Sequence, residues 1–166
     1  MKRIALIVVL GALVLALYTV PAIADFITCP TAGGDCNGTK NNDVIEGSEF
    51  DDLIESRGGT DQVLGNDGDD IIRTSKGSDY AEGGEGNDTI AGDVGDDNLN
   101  DIDNVTPDTD DLRGQDGNDT IRADDGDTLD TVTCGAGVDL AVVDDRSEVE
   151  QPRTDCEEIK ERPATS

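Results

Sequence analysis

The sequence predicts an all-β chain, a β-solenoid of short parallel strands stacked turn on turn, and three observations lead there. Residues 83 to 91 read GGEGNDTIA, and stepping by nine keeps an aspartate at the sixth place: Asp43, Asp52, Asp61, Asp70, Asp79, Asp88 and Asp97. Two places after each stands an apolar residue, namely Ile45, Ile54, Val63, Ile72, Ala81, Ile90 and Leu99. Within each unit the first six places are rich in Gly, Asn, Asp and Ser, which is turn chemistry, and the last three carry aliphatic residues, which is strand chemistry. Apolar residues nine apart cannot line a helix, which needs them every three or four positions. A three-residue strand is stable only when stacked on copies of itself.

The elements follow in order. Lys2 and Arg3 open the chain, Ile4 to Val20 is an almost unbroken apolar run, and Pro21 precedes Ala22-Ile23-Ala24, a small-x-small signature. This predicts a secretory signal peptide over residues 1–24, cut after Ala24, with an uncleaved membrane anchor as the rival. Residues 25–37 form a cysteine-bracketed N-terminal cap, with Phe26 and Ile27 to cover the first turn. Residues 38–143 are the repeat array. Its register slips near 100–109, where Asp110 with Leu112 follows after thirteen residues, and again before Asp130 with Val132, after eleven. Asp119 with Ile121 and Asp139 with Ala141 return to nine. Pro107 marks the first insertion as a surface loop, since proline cannot donate to a sheet interior. Residues 144–166 lose the period and form a C-terminal cap and tail.

Composition narrows the function. The chain of 166 residues carries a net charge of -27, no histidine, no tryptophan and four aromatic residues. Such a chain stays disordered unless its charge is neutralised. Cations are its natural partners; nucleic acid is not, and neither is a membrane once the signal is cut. Four cysteines in an exported chain predict disulfides. Three connectivities are open, and local pairing of Cys29 with Cys36 and of Cys134 with Cys156 is the simplest. A zinc site has neither the spacing nor a histidine. Of the four sequons at Asn37, Asn87, Asn104 and Asn118, two are the repeat's own Asn-Asp-Thr and read as by-products of its loop.

The pattern GGxGxDxUx, with U a large aliphatic, runs through GGEGNDTIA at 83–91, GNDGDDIIR at 65–73, GDVGDDNLN at 92–100 and GQDGNDTIR at 114–122. It resembles the nonapeptide of the RTX, or hemolysin-type, calcium-binding repeat family. The resemblance implies a parallel β-roll with two nonapeptide repeats per eighteen-residue turn and Ca2+ between the loops of adjacent turns, to which the cysteine-bracketed ends add short disulfide-tied caps. The residues suit that ion. Calcium takes about six to eight oxygen ligands, a mix of carboxylates and carbonyls. Glycines such as Gly83, Gly84 and Gly86 let carbonyls turn toward one point through positive φ, and the closing aspartate adds charge. The expected ligands are the loop residues Gly65, Asp67, Gly68, Asp70, Gly83, Gly84, Gly86, Asp88, Gly92, Gly95, Asp97, Gly114, Gly117 and Asp119, with Asp43, Asp52, Asp61, Asp79 and Asp139 in the same columns.

With two units per turn, alternate loops line opposite edges. One edge opens with the acidic Glu49, Asp67 and Glu85, the other with Lys40, Arg57 and Lys76. The first is expected to bind calcium, while on the second a basic side chain stands in for the cation over the early turns; the plainer alternative leaves those side chains facing solvent. The function expected is that of a secreted, extracellular calcium-binding roll with a structural or cell-surface role, free of catalysis because no histidine exists for Ser-His or Cys-His machinery. A metal-independent adhesive or surface-binding solenoid is the alternative, and end-to-end self-association is an open partner reading.

Overall fold

A computed structural model of the chain describes residues 25–101, 108–124, 126, 130–144 and 155–161. The signal-peptide reading for residues 1–24 lies outside them. The described chain runs through fourteen strands: β1 (Phe26–Thr28), β2 (Gly34–Asn37), β3 (Val44–Glu46), β4 (Asp52–Glu55), β5 (Gln62–Asp67), β6 (Ile71–Arg73), β7 (Tyr80–Glu85), β8 (Thr89–Val94), β9 (Asn98–Asn100), β10 (Asp111–Asp116), β11 (Thr120–Ala123), β12 (Thr131–Ala136), β13 (Leu140–Val143) and β14 (Glu158–Glu161). They alternate between two sheets. The odd-numbered strands up to β13 form one sheet, closed at its far end by β14, and the even-numbered strands from β2 to β12 form the other. All pairs are parallel, as in Val63 beside Ala81 and Ile72 beside Ile90. The result is a stack of about six turns, a parallel β-solenoid.

The core is the eighth-place column of the repeat. Ile45, Ile54, Val63, Ile72, Ala81, Ile90, Leu99, Leu112, Ile121, Val132 and Ala141 are fully buried between the sheets. Strand alternation explains this, since the seventh and ninth places point outward when the eighth points in. Residues outside the array join the same columns. Ile27 pairs with Ile45, Cys36 with Ile54 and Ile159 with Ala141, so both terminal segments extend the sheets. Cys29 is bonded to Cys36 and Cys134 to Cys156, the local pairing, and all four sulfurs belong to the core.

Several strands are longer than three residues. In β5, β7, β8, β10 and β12 the pairing continues through the first three loop places. The loop turns at its second and fourth places instead. The second place is left-handed even without glycine, at Arg57, Asn66, Ser75, Asp93 and Gln115, with φ between 66° and 81°. The fourth place is glycine with φ from 118° to 152° in Gly59, Gly68, Gly77, Gly86, Gly95 and Gly117, a region that side chains avoid.

Candidate metal centre

The sixth-place aspartates directly precede their strands, or open the strand at Asp52, and are at most 5% exposed. All but Asp52 use one carboxylate oxygen to grip the previous turn. Oδ1 accepts the backbone N–H of the equivalent aspartate one turn earlier: Asp61 from Asp43 at 2.8 Å, Asp79 from Asp61 at 2.7 Å, Asp97 from Asp79 at 2.9 Å, and Asp119 from Asp97 at 2.9 Å. Asp139 accepts from Asp119 in the same way, and Glu157 accepts from Asp139. The opposite edge repeats the device from Asp52 to Asp70, Asp88, Asp110 and Asp130.

The other oxygen is the chemically telling one. Oδ2 of Asp61, Asp70, Asp79, Asp97, Asp119 and Asp139 is buried without a hydrogen-bond partner. A buried polar atom left without a partner costs about 1–3 kcal/mol, more when charged. The first place of the loop explains where these oxygens lie. A Cβ on Gly65, Gly83, Gly92 or Gly114 would sit 2.2 to 2.5 Å from Oδ2 of Asp70, Asp88, Asp97 or Asp119. Gly83 is therefore glycine for want of space, not for a positive φ, while Gly84 and Gly86 have φ of 120° and 132°. Gly95 packs so closely that a Cβ would come 1.3 Å from the carbonyl oxygen of Gly77, and one on Gly117 would come 1.6 Å from that of Gly95.

Burial sets the electrostatics. It pushes Asp70 and Asp97 up to about 7 and Asp79 and Asp119 up to about 6, with stacked carboxylates one turn away adding to the rise. Asp61 and Asp139 are raised for the same first reason. These groups want a proton or a cation.

Other expected residues are placed differently. Asp43 has protein donors on both oxygens, from Thr39 N at 2.6 Å, Thr39 Oγ1 at 3.1 Å and Asp25 N at 3.3 Å. Asp52 accepts from Ser48 N on Oδ2 and has no partner on Oδ1. Asp67 is exposed on the outer rim. Partnerless oxygens occur on both edges, at Asp52 and Asp70 on the first and at Asp61 and Asp79 on the second. Arg57 donates to Asn37 Oδ1 at 2.9 Å, and no ion pair links Lys40, Arg57 or Lys76 to Asp43, Asp61 or Asp79 among the described residues. The hydroxyls of Ser56 and Thr74, fully buried in the first place, donate instead to the carbonyls of Thr74 and Gly92.

Two features escaped the sequence reading. Fifth-place residues form an outer ladder, in which Asp51 accepts from Asp69 N, Asp69 from Asn87, and Asp96 from Asn118. Reading the fifth column at the same nine-residue step would have found it, and it commits the side chains of both Asn-Asp-Thr sequons to the repeat. The second is acidic clustering at the insertion. Carboxylate oxygens of Asp88, Asp101 and Asp110 lie within 4.8 Å of one another, as do those of Asp108, Asp110 and Asp130, and all five residues are buried. Burial pushes Asp101 up to about 10 and Asp110 up to about 8.

Comparison with known proteins agrees with this geometry. The family model of the RTX calcium-binding nonapeptide repeat matches residues 37–72, 64–99 and 106–140, together more than half of the chain. No curated protein and no solved structure matches the chain.

Proposed function

The chain belongs to the RTX calcium-binding nonapeptide-repeat family, and we propose that it is a secreted, calcium-folded roll with a structural or cell-surface task and no catalytic activity of its own. The observation that carries this reading is the file of buried carboxylate oxygens without a donor at Asp61, Asp70, Asp79, Asp97, Asp119 and Asp139. Calcium bound there supplies the positive charge that these oxygens lack. Asp70, Asp88, Asp97 and Asp119 hold it with the carbonyls of the glycine loops that open at Gly65, Gly83, Gly92 and Gly114. The ion links adjacent turns, so binding and folding are one event. The two disulfides support an oxidising compartment. The carboxylates recur with the repeat along the whole roll, which favours scaffold over active site.

Circular dichroism of the purified, disulfide-intact protein during calcium titration tests the reading. A cooperative gain of β structure is expected at about 0.1–1 mM calcium, the range of extracellular modules of this ligand type. Magnesium should fail, because it demands near-octahedral geometry and gives up its waters reluctantly. A β spectrum indifferent to chelator would overturn the proposal in favour of a metal-independent adhesive solenoid.

A further inference from the structure

We infer that Asp101, directly after β9, joins Asp88 and Asp110 to hold one divalent cation largely by carboxylates. Asp101 stands in register with the repeat, eighteen residues after Gly83, at a first place where the pattern has glycine. It occupies the loop-opening column of Gly47, Gly65 and Gly83, for its N–H donates to Arg122 O at 2.8 Å as that of Gly47 donates to Leu64 O. At Gly47 and Gly65 the loop has no room for a side chain. A Cβ on Gly47 would lie 2.0 Å from Gly65 O, and one on Gly65 would lie 2.4 Å from Gly83 O. At Asp101 the loop is longer: Asp88 and Asp110, ladder partners, are 22 residues apart, against 18 for Asp70 and Asp88.

The orientation of the Asp101 carboxylate points to a ligand. The residue is 3% exposed, its Oδ1 receives only a long bond of 3.4 Å from Gly84 N, and its Oδ2 is buried with no hydrogen-bond partner. A Cβ on Gly83 would sit 2.2 Å from Asp88 Oδ2 and 2.5 Å from Asp101 Oδ2, so oxygens from consecutive turns converge above one glycine. With Asp110 they form a triad whose ligand atoms lie within 4.8 Å of one another. A calcium ion with oxygens at about 2.3–2.6 Å spans such a triad. Asp108 and Asp130 form a second cluster with Asp110 and deepen the negative charge. Affinity in such sites rises with ligand charge, so this one fills before the mixed carboxylate and carbonyl loops.

The site shares Asp88 with the loop that opens at Gly83 and so deepens the reading above, and the test separates the two. Equilibrium dialysis and calorimetry count bound calcium and resolve its affinities in wild type, Asp101→Asn, Asp101→Gly and the distant control Asp35→Asn. Both Asp101 variants are expected to lose the tightest phase by at least about tenfold, while Asp35→Asn matches wild type. Asp101→Gly restores the residue found at Gly47, Gly65 and Gly83, so it carries the affinity comparison should Asp101→Asn fold poorly. Wild-type stoichiometry and wild-type tightest affinity in the Asp101 variants would overturn the inference, as would a wild type that binds no calcium. A wild type with a single ion that Asp101→Asn abolishes would sustain this site and end the reading of the repeat loops.

Discussion

Ile71 and Ile72 are neighbours in β6, yet Ile72 is fully buried between the sheets and Ile71 is 41% exposed. The difference is strand alternation acting on two identical side chains. Ile72→Ala is expected to cost about 2–5 kcal/mol, the range for a core isoleucine reduced to alanine. Ile71→Ala should stay within about 0.5 kcal/mol, as surface changes usually do. Denaturant unfolding in saturating calcium checks both, and equal losses would mean that the two sheets do not face each other as described. The eighth-place column was legible in the sequence because burial there recurs every nine residues. The partners of the sixth-place carboxylates were not legible. A nine-residue period says that Asp79 is special, but only the fold shows one oxygen spent on Asp61 N and the other left without a donor. The charge of Lys40, Arg57 and Lys76 suggests a substitute for the cation, and of the three Arg57 stands in the left-handed second place, where it reaches Asn37.

Each loop behaves as one titrating element, because its buried carboxylate hydrogen-bonds to the turn before and repels the carboxylates stacked on it. Burial raises Asp70 and Asp97 to about 7, and Asp79 and Asp119 to about 6, from an ordinary value of 3.8. The folded loop thus keeps protons that the unfolded loop has released, and the linkage has a definite sign. In chelator, the contribution of these groups is fully present below about pH 4 and is lost as pH rises through about 6 to 7. The metal-free protein is therefore expected to hold more β structure at pH 5 than at pH 8, by circular dichroism. Calcium binding at pH 6 should release protons, seen as a calorimetric heat that varies with buffer ionisation enthalpy, and apo β content that rises with pH would contradict this. At this scale the sequence was partly legible. Turn-then-strand was correct in order but not in length, because sheet pairing runs three residues further into the loop, as in β5 and β8. Asp101 stands in step, nine residues after Gly92, but at a first place where the pattern has glycine, and Asp108 falls off the step, beyond the slip in register.

The whole molecule is a one-dimensional stack in which each turn meets chiefly its two neighbours, so its stability is set by interfaces between turns and by its ends. A net charge of -27 opposes that stack until cations enter. The disulfides fasten both ends, and the Cys134–Cys156 bond closes a separation of 22 residues. Replacing both of these cysteines with serine should cost about 3 kcal/mol by freeing the unfolded chain. Calcium titrations followed by circular dichroism would register this as a higher midpoint, and an unchanged midpoint would mean that the last turn folds apart from the rest. The aspartate ladder also gives the stack a direction. Along one edge the links run unbroken from Asp25 through Asp43, Asp61, Asp79, Asp97, Asp119 and Asp139 to Glu157, and in every one the earlier turn donates while the later turn accepts. A nascent chain is made from the donating end. Every newly made turn thus waits, with an amide unsatisfied, for the carboxylate still to be synthesised, and Glu157, with its longer arm, is the full stop that lets the last turn close.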